Sequence, residues 1–258
     1  MINSLTLGVD YDCSPDFSKD PWREASLVTP RHVVHEQWND EAIKQHCVLT
    51  GHRHFLSPAE DKINGRPCSR MEQLVIAAQG PKKTQLRRTI SLAIGLRVLV
   101  TLNINTDLDI ANGAKGTIVD IVLHPDEEID NKNPVELKYI PAYILVRLDQ
   151  TCATKFPGLD EGVIPIEPAL KSFSISYSVK VRNRLTEHTS ERILQKTVQR
   201  QQFPITGAYA FMDYRSQGQT IKTVIIDLAK PPTGGDLSLF NVYVSLSRSS
   251  GRDTVRLL

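Results

Sequence analysis

Apolar residues at helical spacing along residues 33–48 (Val34, Trp38, Ala42 and Ile43) predict a helix that Gly51 ends. Just before it, residues 25–29 read as a short strand stopped by Pro30. Residues 71–79 predict a second helix, with Ser69 as its N-cap, Glu72 three positions on, and Gly80-Pro81 as its stop. Residues 85–94 read as a third amphipathic helix, closed by Gly95. From Leu96 the texture changes to short β runs at 97–102, 117–123, 143–148, 163–166 and 173–181, with Gly, Pro and Asn between them. That succession predicts a small barrel. The charged stretch 126–132 reads as a solvated loop, and 187–202 is polar and poor in strand signal, with Arg192, Lys196 and Arg200 giving it a basic tilt. The runs 205–211 and 224–228 are almost continuously apolar, as strands of a sheet buried on both faces are. Residues 239–246 are apolar at helical spacing, 254–258 read as a last strand, and residues 1–24 are turn-rich and expected to be poorly ordered. No internal repeat is present.

This order predicts an α/β protein: one layer split in sequence, residues 25–95 and 203–258, with a small β-barrel and connecting arm inserted at 96–202. Composition does not alter that picture. With 40% hydrophobic and 23% charged residues, the 258-residue chain is an ordinary globular one. Its net charge of +2 means that any nucleic-acid surface has to be local. Cys13, Cys47, Cys68 and Cys152 form no C-x-x-C pair, so reduced thiols are expected. His46-Cys47 with His52 and His54 lacks paired zinc-ligand spacing, and no metal site is expected. No apolar run approaches the ~20 residues that span a bilayer, so no membrane partner is expected. Met1-Ile2-Asn3-Ser4 starts neither a secretory nor a transit segment, which leaves an intracellular location as the expectation.

The candidate chemistry lies between the last apolar runs. In Ser216-Gln217-Gly218-Gln219-Thr220, Gly218 lets a backbone N–H approach a phosphate, and Gln217 can place a water or hold a phosphate oxygen. The same pentapeptide also fits a plain turn between two strands. Arg248, after an apolar helical pattern, suits an arginine finger because guanidinium is always charged and bonds two oxygens at once; it equally fits an exposed helix face. Asn112-Gly113 is a hairpin turn, beside which Lys115 can meet a backbone phosphate. Val224-Ile225-Ile226-Asp227 imitates an acidic strand end of a nucleotide site, but no Asp-Glu pair is present. Asp227 is read as facing a loop or capping a neighbour, and Asp107 and Asp109 as turn and capping residues. No G-x-x-x-x-G-K-[ST] occurs, and no Gly-Lys dipeptide at all, so this chain alone is not expected to hold a nucleoside triphosphate in the usual way.

Three stretches in order, Ala208-Tyr209-Ala210-Phe211, Tyr214-Arg215-Ser216-Gln217-Gly218-Gln219-Thr220 and Val242-Tyr243-Val244-Ser245-Leu246-Ser247-Arg248, resemble the last motifs of superfamily-one DNA helicases. The nearest likeness is to PIF-type helicases and their RecD relatives, including divergent fungal helicase-like proteins allied with mobile elements. Residues 98–118 resemble the strand pair that opens the family's inserted barrel, and Ser26-Leu27-Val28-Thr29-Pro30-Arg31 the start of its second motor domain. Where the family has His and, two positions earlier, Thr, this chain has Tyr214 and Met212.

The resemblance implies a RecA-like second motor domain interrupted by a barrel, from an enzyme that unwinds DNA 5′-to-3′ with ATP and Mg²⁺. It implies that Arg248, Gln217 and Gly218 face the nucleotide, while Thr29, Ser216, Thr220 and Lys115 lie nearer single-stranded DNA. The first motor domain, in cis or in trans, is the implied partner. The nucleus is the expected compartment, with the mitochondrion second. Without that domain the chain is expected to bind no nucleotide and to be inactive as an ATPase. The alternative is a non-catalytic single-stranded DNA-binding or scaffold remnant; a truncated gene model is the third possibility.

Overall fold

The computed structural model describes residues 19–22, 25–79, 86–130, 132–152, 155–182, 189–212, 221–230 and 239–258. Most of the segment 1–24 lies outside them. In chain order the elements are β1 (Ser26–Thr29), α1 (His32–Thr50), β2 (Phe55–Pro58), β3 (Glu60–Ile63), β4 (Arg66–Pro67), α2 (Arg70–Gln79), β5 (Thr89–Leu92) and β6 (Arg97–Val100). There follow β7 (Lys115–Val122), β8 (Val135–Glu136), β9 (Tyr143–Leu148), β10 (Val163–Ile166), β11 (Ala169–Arg182) and β12 (Thr189–Gln202). The last are β13 (Ile205–Gly207), β14 (Ala210–Met212), β15 (Val224–Ile226), α3 (Leu239–Leu246) and β16 (Val255–Leu257). They divide into two compact units: Met1–His52 with Leu96–Leu99 and Gly207–Leu258, and Arg53–Gly95 with Val100–Thr206.

The first unit is an α/β layer. Its sheet runs β14-β1-β15-β16, all parallel, with Leu27 opposite both Ala210 and Ile225. Both faces are apolar. Val28, Phe211, Val224, Ile226, Val255 and Leu257 bury one side; Leu27, Ala210 and Ile225 bury the other against Trp22, Val34 and Trp38. That is why these strands read as unbroken apolar runs. Helix α1 closes at Gly51, whose positive φ of 71° lets its N–H reach the Cys47 carbonyl at 3.0 Å. The helix buries Asn39, Ile43 and Cys47.

Asn39 is a polar pin within that apolar contact. Its Oδ1 accepts from the Tyr209 and Ala210 N–H groups at 3.0 and 3.1 Å, and its Nδ2 donates to the His35 carbonyl at 3.1 Å. A Cβ on Gly207 would lie 2.9 Å from Asn39 Oδ1, so a glycine is required there. The single strand expected over 205–211 is therefore two, β13 and β14, in different sheets. The run changes hydrogen-bond partners at Asn39.

The second unit is rich in β structure, as read. Among the described residues its strands lie in the sheets β10-β9-β7, β11-β12-β3-β4 and β5-β2-β8, with no closed barrel among them. It also takes in residues 53–95, which the sequence assigned to the α/β layer. The reason is pairing: β2 binds β5 and β8, and β3 binds β12. Two element assignments change with it. The helix expected over 85–94 contains strand β5, in which Ile90 and Leu92 alternate inward. Within the strand-poor stretch 187–202, the described residues Thr189–Gln202 form the 14-residue strand β12, paired along its whole length with β11.

The polarity of β12 hid it, because two of its charges, on Lys196 and Arg200, are satisfied inside the unit. Arg200, 2% exposed, forms a two-pronged pair with Asp61, both contacts at 2.7 Å, and stacks over Phe173. Lys196 reaches Glu72 Oε1 at 2.8 Å, and Gln202 donates to the Ser57 carbonyl. Glu72 is also the anchor of a capping box: it accepts from Ser69 N–H at 2.8 Å and its own N–H faces Ser69 Oγ. Arg66 forks onto the same carboxylate. Helix α2 packs Ile76 with Phe173, Ile175 and Val198 of the long hairpin. At its end Gln79 donates to the Ser176 carbonyl at 2.6 Å and accepts from the Ser176 N–H at 3.1 Å.

Asn39→Leu leaves the Tyr209 and Ala210 N–H groups buried and unpaired, with an expected loss of about 2–4 kcal/mol. Urea unfolding followed by fluorescence of Trp22 and Trp38, the two tryptophans of the chain, reads it. For Glu72, the Arg66 guanidinium first, then Lys196 and the Ser69 N–H, hold the carboxyl far below the usual carboxylate range. A depressed carboxyl contributes stability above its ordinary value of 4.5 and loses it as pH falls below that. Calorimetry is expected to show the β-rich unit weakening from about pH 5 downward. Glu72→Gln is expected to lower Tm at pH 7 and flatten that slope.

Candidate functional site

In a parallel sheet every strand delivers its carboxyl end to one edge, and ligands of open α/β sheets bind outside that edge. In the first unit, β14 there runs into residues 213–220, β1 into Pro30-Arg31, and β15 into Asp227. Ser216, Gln217, Gly218 and Thr220 all fall in 213–220, outside the described residues.

Thr29 ends β1 fully buried. Its hydroxyl donates to Asp227 Oδ2 at 2.6 Å and accepts from the Arg31 N–H at 3.0 Å. Arg31 Nε donates to the same Oδ2 at 2.7 Å, and the Ala229 N–H to Oδ1 at 3.0 Å. The Asp227 side chain has no solvent exposure, whereas that of Arg31 keeps 30%. Asp227 thus binds a neighbour, as read, through its side chain and from inside the sheet. The sequence reading missed Arg31 and Asn39 as working residues. A signal for the first was present: a charged residue directly after a strand-ending Thr-Pro, matched by an acid ending the neighbouring apolar run.

Arg248 lies at the other end of the sheet. It follows α3, with its N–H bonded to the Ser245 carbonyl. Its Nε donates to the Val244 carbonyl at 2.9 Å and its Nη2 to Ser247 Oγ at 2.7 Å. A cation among the last carbonyls of a helix is favourably placed. The Arg248 carbonyl accepts from Ile221 N–H at 2.8 Å, and Ile221 precedes β15, which sets Arg248 at the amino edge.

Lys115 belongs to the second unit and opens β7, half-buried, its carbonyl bonded to Asp149 N–H. The turn before it uses Gly113 at φ 102°, as Asn-Gly predicts. At Gly116 a Cβ would stand 2.6 Å from the Arg147 carbonyl, so this glycine serves strand packing. Asp109 takes a left-handed turn position, and the Cys152 thiol donates to it at 2.8 Å, which pushes that thiol's pKa up. Among the described residues no three His, Cys, Asp or Glu converge on a metal position, and no helix is long and apolar enough to cross a membrane.

Thr29→Val keeps shape and removes the donor to a buried carboxylate. The expected cost is about 1.5–3 kcal/mol, read as a lower urea midpoint with an unchanged slope.

No protein-family model and no curated protein matches the chain. Solved structures do. The Pif1 helicase from Candida albicans is 19% identical, with 93% of this chain and 46% of that one covered at a TM-score of 0.53. A structure of Pif1 helicases concerned with DNA unwinding at forked double-stranded DNA is 16% identical, with 99% and 41% covered at 0.54. The chain therefore spans under half the length of the proteins it matches. The likeness, at these identities, is one of fold: this α/β chain is folded like part of a Pif1 helicase.

Proposed function

We propose that the chain is the C-terminal portion of an ATP-dependent 5′-to-3′ DNA helicase, comprising a second motor domain and its inserted β module. The supporting observation is the likeness to Pif1 helicases over 93–99% of this chain. The helicase-like stretches have a structural setting to match: Ala210–Met212 forms a parallel strand, and Arg248 follows a helix tied back to Ile221. One of the similar structures concerns DNA unwinding at a fork, and that is the activity proposed for the whole protein. Repair, recombination or mobile-element replication in the nucleus is the setting that fits it.

In this reading the chain supplies one side of a nucleotide site. Arg248 would meet the terminal phosphate of ATP, with Gln217 and Gly218 beside it. ATP hydrolysis supplies the free energy for movement, and its phosphate loop and Mg²⁺ ligands belong to the partnering motor domain. Within this chain Arg248 is held by its own helix end, so engaging a phosphate means exchanging the Val244 and Ser247 contacts. Single-stranded DNA would be met mainly at its phosphates, with Ser216, Thr220 and Lys115 contributing.

A second reading is a non-catalytic single-stranded DNA-binding remnant. ATP turnover by the isolated chain, with and without oligo-dT, is expected to stay at background. Turnover abolished by Arg248→Ala would refute the half-motor assignment. Adding a Pif1-type first motor domain separates the two readings: Arg248-dependent turnover favours the motor, and none favours the remnant.

A further inference from the structure

We infer that Arg31, positioned by Asp227, is a phosphate-binding residue of this chain and takes the backbone of single-stranded DNA. The inference rests on the DNA-binding part of the function proposed above.

The first support is the division of the guanidinium. Nε is committed to Asp227 Oδ2 at 2.7 Å, while the terminal nitrogens have no partner among the described residues. The 30% exposure of the side chain sits beside a carboxylate with none. One end of the group is therefore anchored in the protein, and the other offers a planar pair of donors, the shape that matches two oxygens of a phosphate.

The second support is rigidity. The Arg31 N–H is bound to Thr29 Oγ1, and that hydroxyl is bound to the same carboxylate oxygen. Backbone and side chain are thus fixed before any ligand arrives, which reduces the ordering cost of binding.

The third is place. Arg31 stands where β1 meets the carboxyl edge of the parallel sheet, next to the point where β14 runs into 213–220. Arg248 is tied to the amino edge through Ile221. The two arginines serve opposite ends of the sheet. With Arg248 assigned to the nucleotide, the phosphate at the Arg31 end is a phosphodiester of the nucleic acid. Asp227 is a positioning residue: it touches no ligand and acts through Arg31.

The test is fluorescence anisotropy of a labelled dT oligonucleotide across a salt series, with a fluorescent ATP analogue in parallel, on wild type, Arg31→Ala, Arg31→Lys and Asp227→Asn. Arg31→Ala alters a partly exposed side chain, so it stays interpretable where Asp227→Asn fails to fold. The expected result is about tenfold weaker dT binding for Arg31→Ala, with the slope of log K against log salt shallower by about 0.7. Arg31→Lys should retain the slope and lose part of the affinity. Asp227→Asn should weaken dT binding in the wild-type background and add nothing to Arg31→Ala, a coupling that general loosening of the fold would not produce. Wild-type affinity and slope in folded Arg31→Ala overturn the inference alone. The ATP-analogue arm is run with a Pif1-type first motor domain added, because the chain alone is expected to bind no nucleotide; loss of the analogue there by Arg31→Ala, with dT binding intact, overturns the DNA assignment. Failure of the wild type to bind dT overturns both the inference and the DNA-binding reading beneath it.

Discussion

A carboxylate without access to water has to be surrounded by donors, and at the end of β15 Asp227 finds them in a hydroxyl, a guanidinium and a backbone N–H. The polar groups at the carboxyl ends of β1 and β15 are referred to that group. It locks the ends of two adjacent parallel strands together, 198 positions apart in sequence. It uses up the Thr29 hydroxyl and orients the Arg31 fork. An apolar residue at 227 would pack, but it would leave the strand ends without a common centre.

The α/β layer was legible because its rule is simple. A parallel sheet covered on both faces needs unbroken apolar strands, and residues 27–28, 210–212 and 224–226 supply them. The ends of α1 and α2 were legible for a similar local reason, through Gly51 and through Ser69 with Glu72. What escaped was set by distant partners. Strand β12 reads as polar because Arg200 and Lys196 complete ion pairs with Asp61 and Glu72, more than 120 positions away. The apolar run 205–211 gives no hint that Asn39 divides it. At the site, Thr29 was picked out by its setting, but its burial could not be read from type, and the neighbour that keeps an open donor pair is Arg31.

Those ion pairs also bear on nucleic-acid binding. Of the three cations that gave 187–202 a basic tilt, Lys196 and Arg200 are engaged inside the β-rich unit. Counting basic residues along this stretch overstates the positive surface it offers. A phosphate-binding role has to be argued arginine by arginine, from what each guanidinium already holds.

The Gln79 amide meets the Ser176 backbone with the donor–acceptor pattern of a neighbouring strand. Among the described residues β11 is the outer strand of its sheet, 14 residues long. Such an edge is a template on which another chain's strand can grow. By occupying one rung of the ladder, the glutamine turns a continuous template into shorter pieces, so a helix terminus doubles as a guard against intermolecular sheet extension.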